Sequence, residues 1–535
     1  MASAQTAPYG EWKSPVNSDL IVASTIGLGQ INIDGDTMYW IESRPLEAGR
    51  NVVVRRNADG TTQDVNPKPY NVRTRVHEYG GSAYTIVDGV CYFSNFSDQL
   101  LYRVSPGEAP IAVTHIPGMR YAEATFDRRR SRLIAVREDH TLPEREAVNT
   151  IVGIHLPDGT ETVLVQGNTF YSSARISPDG TRLAWLTWNH PNMPWDGCEL
   201  WVGTFNADGS IGQAELVAGG LSESIFQPEW SLDGTLYFVS DRSDWWNLYR
   251  WRDCAIEPVC PQQAEFGLPQ WAFGMQTYGF TASYKIVSLY TRDGYWYIAQ
   301  IETPKGTLTP IRTAYTDISD LCVSQGHVTF IGSSPSLPTT IVTLNLATGE
   351  MTPIRSSSDL VIDEGYISQP QSVEYPTENG LTAHAFYYAP ANKDYAAPSG
   401  EKPPLLVKTH GGPTGATGTH RNLTIQYWTS RGFAVLDVNY GGSTGYGRAY
   451  RQRLNGQWGI VDVDDAVNGA KYLVGRGWVD GKRLAIDGGS AGGYTTLAVL
   501  AFRKQFQAGA SYYGISDLEA LARDTHKFES RYLDS

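Results

Sequence analysis

The sequence predicts a β region followed by an α/β region, a seven-bladed β-propeller over residues 1–362 and a mostly parallel sheet with helices over 363–535. Three observations carry this. In the first two-thirds a turn followed by an apolar, alternating strand recurs at steps of roughly 40 to 55 residues, the range of propeller blades. In the last third strand and helix patterns alternate, which encodes a parallel sheet covered on both faces. Near the end a short apolar strand runs into a Gly-x-Ser-x-Gly turn and then a helix.

The repeated units are IDGDTMYWIES from Ile33, VDGVCYFSNFSD from Val87, FDRRRSRLIAVRED from Phe126, SPDGTRLAWLTW from Ser177, SLDGTLYFVSDR from Ser231, SYKIVSLYTRDG from Ser283 and SQGHVTFIGSS from Ser324. Asp-Gly between apolar runs signals a hairpin, because the pair accepts positive φ at both central positions. Further strands follow inside the units, such as LWVGTFN from Leu200 and NLYRW from Asn247. Two β-sandwiches in tandem are the alternative, and the even spacing favours the propeller. Four polar or aromatic clusters interrupt the pattern, VHEYGG at 76–81, NHPNMPW at 189–195, ESIFQPEW at 223–230 and FGLPQW at 266–271. Loops at one end of a propeller can face a partner domain and touch substrate. The blander expectation is that these side chains fill gaps between blades. Arg128, Arg129 and Arg130 read as a solvated turn.

A chain of 535 residues with 41% hydrophobic content is globular and too long for one core. Its formal net charge of −13 argues against nucleic acid or an anionic membrane as the main partner. The N-terminus has no basic segment followed by an apolar run, so no secretory signal is expected, and no apolar run approaches membrane-spanning length. The five cysteines are scattered and odd in number, which suggests buried free thiols in a reducing compartment and makes the cytoplasm the default location. The histidines show no metal-ligand spacing, and Cys254 and Cys260 lack companions, so no metal is expected. No Walker motif is present, and NYGGSTGYG lacks a full G-x-G-x-x-G, so no cofactor is expected either.

Strands are expected at 371–376, 383–388, 405–409 and 433–438, with a loop at 391–402 and a helix at about 460–474. Leu484, Ala485 and Ile486 then read as a buried strand, Gly488 to Gly493 as a sharp turn, and the residues from Tyr494 as a helix. Strand, turn and helix form the nucleophile elbow of an α/β-hydrolase, with Ser490 at its tip. A serine in so tight a turn sits at strained backbone angles, and glycines at 488 and 492 let strand and helix pass without a Cβ clash. The helix N-terminus aims free N–H groups at the reacting atom. His410-Gly411-Gly412 follows the third strand, where such a fold takes one oxyanion N–H, here from Gly411. The residue after the nucleophile, Ala491, supplies the other. Two such donors stabilise the oxyanion of an acyl-transfer transition state.

HGGP, then DVNYGGSTGYGR, then a helix, then GGSAGGY resembles the catalytic domain of the prolyl oligopeptidase family of serine peptidases. Upstream, RTRVHEYGGSAY, ESIFQPEWSLDGTLYFVSDRSDWWNLYRW and EFGLPQWAFGM resemble its dipeptidyl-aminopeptidase/acylaminoacyl-peptidase branch, so the likeness spans nearly the whole chain. The resemblance implies hydrolysis of short peptides, with the propeller restricting access. It also implies Ser490 as nucleophile and oxyanion N–H groups at Gly411 and Ala491, and it places Tyr440 beside the pocket.

One departure matters. In α/β-hydrolases the acid and the histidine follow the serine. Here 507–513 reads as the next strand and 515–521 as the start of a helix, after which Asp517, Asp524, Asp534 and His526 are the Asp and His candidates. Asp524 and His526 are too close in sequence to resemble the family arrangement, and His410 belongs to the oxyanion loop. The expectation is therefore an incomplete α/β-hydrolase domain, C-terminally truncated, with an exposed edge strand, uncovered apolar helix faces and poor solubility. Two alternatives stay open, a non-catalytic propeller binding protein and an esterase or other acyl hydrolase.

Overall fold

The computed structural model describes residues 4–22, 25–324 and 326–534. Seven four-stranded sheets follow one another in chain order, from the strand Gly27–Asp34 to the strand Met351–Ser356, and form a seven-bladed β-propeller. The repeated turns all fall at one place in the blade, between its first and second strands. Residues 88–89 join Tyr84–Val87 to Val90–Ser94, 177–181 join Phe170–Ile176 to Arg182–Trp188, and 231–235 join Ile225–Trp230 to Leu236–Ser243. The last repeat contains Gln325, which lies outside the described residues.

The expected reason for these turns holds only in part. Asp88 and Gly89 both have positive φ, at 50° and 78°. In the Ser-x-Asp-Gly-Thr turns only the glycine does, with Gly180 at 67° and Gly234 at 79°. There the aspartate acts through its side chain instead. Asp179 Oδ1 accepts from Ser177 Oγ at 2.6 Å and from the Thr181 amide at 3.0 Å, and Asp233 repeats the pattern with Ser231 and Thr235. Aspartate is favoured in such turns because its carboxylate satisfies backbone donors two residues on.

Among the described residues each blade, including the first and the seventh, is built from consecutive strands of the chain, and no strand of one blade is completed by another. The first and seventh blades meet through side chains. Trp40, Val52 and Val54 pack on Ile331 and Ile341, and Arg355 Nε donates to Glu42 Oε1 at 2.8 Å.

The second domain carries a six-stranded sheet in the order Pro370–Pro376, Thr382–Tyr388, Ala434–Asn439, Leu405–Thr409, Leu484–Gly489, Ala508–Tyr512. The first two pairings are antiparallel and the other three parallel. This is an α/β-hydrolase sheet. Its parallel strands are buried runs such as Ala434–Asn439, as a sheet covered on both faces requires. Helix Val461–Gly475 buries Val463, Ala466, Val467, Ala470 and Leu473 against it. The last strand is different. Ala508–Tyr512 is an exposed edge, and beside it Phe502 and Tyr513 are 76% and 86% exposed.

The N-terminal arm reaches the second domain. Gln5–Thr6 pairs in parallel with Tyr395–Ala396, inside the stretch expected to be a loop. Ser14 Oγ lies 2.7 Å from Ser430 Oγ, and Arg431 Nη1 donates to the Val16 carbonyl at 2.7 Å. Of the cysteines, Cys91, Cys198 and Cys260 are buried free thiols, Cys322 is half-buried, and Cys254, against expectation, is exposed on the Asp253-Cys254 turn. Among the described residues no helix is long and apolar enough to cross a membrane.

Candidate active site

Ser490 sits between the strand Leu484–Gly489 and the helix Ala491–Phe502. Its φ of 54° and ψ of −121° are disfavoured for any residue with a side chain, and such strain persists only where the surroundings impose it. Those surroundings are backbone. The Ser490 amide donates to the Tyr512 carbonyl at 3.1 Å, and its carbonyl accepts from the Tyr494 amide at 3.1 Å. The two elbow glycines are obligatory. A Cβ on Gly488 would lie 2.3 Å from the Gly492 carbonyl oxygen, and one on Gly492 would lie 2.1 Å from the Thr409 oxygen. The Thr409 hydroxyl locks this approach by donating to the Gly492 carbonyl at 2.9 Å. Beneath it, Lys408 Nζ and Asp487 Oδ1 pair at 2.6 Å between neighbouring strands.

The His410–Gly412 loop lies over the serine. A Cβ built on Gly411 would stand 3.1 Å from the Gly489 carbonyl oxygen and 3.3 Å from Ser490 Cβ, so the loop backbone lies directly against the serine. The Gly411 and Ala491 N–H groups have no acceptor among the described residues. Gly411 is thus brought against Ser490, whose chain neighbour is Ala491, from a stretch of sequence 79 positions away. Ser490 remains partly exposed. A cavity of about 250 Å³ opens between the domains from Gly415 onward, walled by Leu268, Trp271, Met275 and Trp296 of the propeller.

His410 is fully committed elsewhere. Its Nδ1 lies 2.8 Å from the Gly411 carbonyl and its Nε2 2.7 Å from Ser443 Oγ. A carbonyl can only accept, so Nδ1 carries the proton and Nε2 accepts from the serine hydroxyl. Burial lowers the His410 pKa to about 4, which keeps the ring neutral. The ring stacks on Tyr440 at 4.5 Å, and the Tyr440 hydroxyl donates to the His410 carbonyl at 2.8 Å. Tyr440 is 1% exposed, so it supports the loop from below and does not line a pocket.

The downstream acids and histidine are engaged away from the elbow. Asp517 caps helix Leu518–Asp524 by accepting from the Ala520 amide, Asp524 pairs with Arg523 at 3.0 Å, and Asp534 pairs with Arg531. His526 Nε2 is 3.7 Å from Glu529 Oε2, and its ring meets Tyr79 edge-on at 5.4 Å. Among the described residues Ser490 Oγ has no hydrogen-bond partner.

The four clusters that interrupt the blade pattern gather at the domain boundary. His77, Trp195 and Trp271 surround Phe528, which is 2% exposed, and His190 Nε2 lies 3.0 Å from the Lys527 carbonyl. Trp271 Nε1 donates to the Thr414 carbonyl at 2.6 Å, and the Thr414 amide donates to the Tyr532 hydroxyl at 3.0 Å. From the third cluster, the Ser224 amide donates to Asp241, whose other oxygen takes up Arg448 and Arg451 of the second domain. Sequence reasoning missed Ser443, Asp241, Glu265 and Phe528. Asp241 and Arg448 both lie in stretches that carried the family likeness, but nothing in a sequence says that two such residues pair.

A family model described as the prolyl oligopeptidase family matches residues 419–535. Among solved structures, a puromycin-hydrolyzing peptidase of Mycobacterium tuberculosis superposes with a TM-score of 0.94 at 38% identity, over 99% of this chain and 83% of that one. A puromycin hydrolase mutant complexed with PGG gives 0.93 at 35% identity, over 99% of this chain and 84% of that one. The uncharacterized peptidase YuxL of Bacillus subtilis is 29% identical over 227 residues, which are 40% of this chain. That match spans about a third of YuxL, 34% of its length. With an elbow serine, an HGG loop, a seven-bladed propeller and a relative 38% identical over most of both chains, this chain belongs to the prolyl oligopeptidase family.

Proposed function

We propose that the chain is a serine peptidase that acts on short peptides by forming an acyl-enzyme on Ser490. The observation that supports this is a partly exposed serine on a strained turn, with the Gly411 backbone against it and the Gly411 and Ala491 N–H groups without an acceptor among the described residues. In the first step Ser490 Oγ attacks the scissile carbonyl and its proton leaves to a base. The carbonyl oxygen becomes an oxyanion that accepts from Gly411 and Ala491. Each such donor is worth about 10²–10³ in rate. Collapse expels the amine and leaves the ester, which water then cleaves. The mechanism calls for a histidine at Ser490, and the described residues hold none there; by the family pattern it follows the serine.

Short substrates are favoured because the propeller packs on the face that carries the oxyanion loop, through Trp271 on Thr414. The likeness to a puromycin hydrolase complexed with PGG supports a small peptide-like ligand. Free cysteines in the described residues support a reducing, cytoplasmic setting.

A fluorophosphonate probe tests the proposal. Labelling confined to Ser490, abolished by Ser490→Ala and accelerated by added imidazole standing in for the base, is the expected result. No labelling with imidazole present leaves the propeller as a ligand-binding unit and removes the enzyme. Faster turnover of an ester than of the matching peptide amide, with no amide cleavage, makes it an esterase.

A further inference from the structure

We propose that Asp241, a propeller side chain, is a positioning residue for the Gly411 N–H, acting through the 440–451 loop and the Ser443–His410 contact. This rests on Gly411 being an oxyanion donor and names what holds it in place.

The relay begins in the fifth blade. Asp241 is 1% exposed. Its Oδ1 is fixed by the Ser224 amide at 2.8 Å, and its Oδ2 accepts from Arg448 Nη1 at 2.5 Å and Arg451 Nη2 at 2.6 Å. Both arginines belong to the second domain, in the short helix Arg448–Arg451. The approach to that helix is held by the propeller as well. Three successive amides donate across the boundary, Gly447 to Glu265 Oε1 at 3.0 Å, Arg448 to the Asp244 carbonyl at 2.5 Å, and Ala449 to Asp244 Oδ1 at 2.8 Å.

From the helix the restraint passes back along the loop. The Gly442 amide donates to the Tyr450 carbonyl at 3.0 Å, and the Tyr450 hydroxyl donates to the Asn439 carbonyl at 2.6 Å, so 439–450 closes on itself. Ser443, at the middle of this closed loop, is fully buried, and its hydroxyl donates to His410 Nε2 at 2.7 Å. His410 Nδ1–H then holds the Gly411 carbonyl at 2.8 Å. The Gly411 N–H shares its peptide plane with the His410 carbonyl, which the Tyr440 hydroxyl of the same loop holds at 2.8 Å, so with the Gly411 carbonyl also held both planes that meet at Gly411 are fixed. The second domain holds the loop from its other side, where Asp465 Oδ2 accepts from the Gly441 amide at 2.7 Å. The loop is thus suspended between a carboxylate of its own domain and carboxylates of the propeller. The oxyanion loop reaches its geometry only with the two domains docked.

The test uses the whole chain with 15N-labelled histidine, the His410 signals being assigned by loss in His410→Gln. Ser443→Ala removes the hydroxyl donor and shifts the His410 Nε2 resonance downfield. Asp241→Asn is expected to shift it in the same direction and to raise amide exchange across 409–415 at least tenfold, with 434–439 and 484–489 unchanged. If Asp241→Asn does not fold, Arg448→Gln breaks the same pair from the less buried side and carries the same expectation. The proposal is overturned if either variant speeds exchange at 447–454 while the His410 signal and 409–415 stay native. None of these measurements needs turnover. A chain that fails to label at Ser490 removes the enzymatic reading and leaves the coupling result standing, and the reverse also holds.

Discussion

Phe528 stacks on His77 across the domain boundary, with ring centroids 5.5 Å apart and planes 26° from parallel. The contact joins residues 451 positions apart in sequence into one aromatic cluster that also takes in Phe170, Trp188, Trp195 and Trp271. On one side the Lys527 ammonium donates to the Ala147 and Thr169 carbonyls at 2.7 and 3.0 Å. Phe528→Ala is expected to cost about 3–5 kcal/mol of domain docking, the usual range for emptying a buried aromatic site. Limited trypsin digestion reads it as new cleavage at Lys527 or Arg531 before the propeller itself is cut.

The strain at Ser490 has a measurable size. Replacement by glycine, which accepts φ of 54°, is expected to stabilise the chain by about 1 kcal/mol, since left-handed strain of about 1–3 kcal/mol is offset by the flexibility of glycine. Gly492→Ala, with its Cβ 2.1 Å from the Thr409 oxygen, is expected to lose at least about 3 kcal/mol or fail to fold. Urea unfolding of both variants against the parent checks the two signs together.

Glu265 makes docking pH-dependent. It is 1% exposed, and burial raises its pKa from 4.5 to about 7, with Arg451 pulling the other way. A carboxyl whose folded pKa is raised stabilises most when protonated. Its contribution is complete below pH 4.5 and disappears as pH rises through about 7. The change is on the order of 3 kcal/mol. Glu265→Gln removes this slope. At pH 5 it also lowers stability by about 1 kcal/mol, because an amide nitrogen then faces one of the two N–H groups that Glu265 accepts, and at pH 8 the order of the two proteins reverses. Thermal melts from pH 5 to 8 separate the slope from the offset.

His410 is expected to titrate near pH 4, with its Nδ1–H tautomer retained above that. A histidine whose pKa is lowered lends stability above its unfolded value of 6.5 and loses it as pH falls through about 4. An imidazole NMR titration with a midpoint near 6.5 contradicts the buried, doubly bonded ring.

The open sheet edge is expected to limit solubility. Leu497, Leu500 and Phe502 of the elbow helix are 38%, 39% and 76% exposed, next to the open strand Ala508–Tyr512. A helix apolar on all sides is normally covered, and an open strand edge pairs with other chains. Phe502→Lys combined with Tyr513→Lys is expected to raise soluble yield and lower dye binding to exposed apolar surface. Unchanged light scattering in the double variant counts against the edge as the source of aggregation.

What could be read from the sequence was local. The repeated turns, the Gly-x-Ser-x-Gly elbow and the His410–Gly412 loop each depend on residues within a few positions of one another. Backbone sterics and side-chain capping act over that range, so the pattern survives in one dimension. The pairing of Gln5–Thr6 with Tyr395–Ala396 leaves no periodic trace, because a two-residue strand has none. The Asp241 ion pairs and the Phe528 cluster join residues more than 200 positions apart. An aspartate that anchors a neighbouring domain has the same letter as one on a solvated turn. NYGGSTGYG, set aside as an incomplete nucleotide loop, supports the oxyanion loop through Ser443.

The propeller is a necklace without a knot. Its first and seventh blades touch but share no hydrogen-bond ladder, and both loose ends of the necklace run to the hydrolase, where Ser430 and Arg431 grip the leading end and Arg421 holds the Leu360 carbonyl at the trailing end. The hydrolase is therefore a second clasp. Lifting it away leaves the ring closed at a seam held by the Arg355–Glu42 pair, the Gln30 amide on Asp320 Oδ2 and the apolar contact of Trp40, Val52 and Val54 with Ile331 and Ile341.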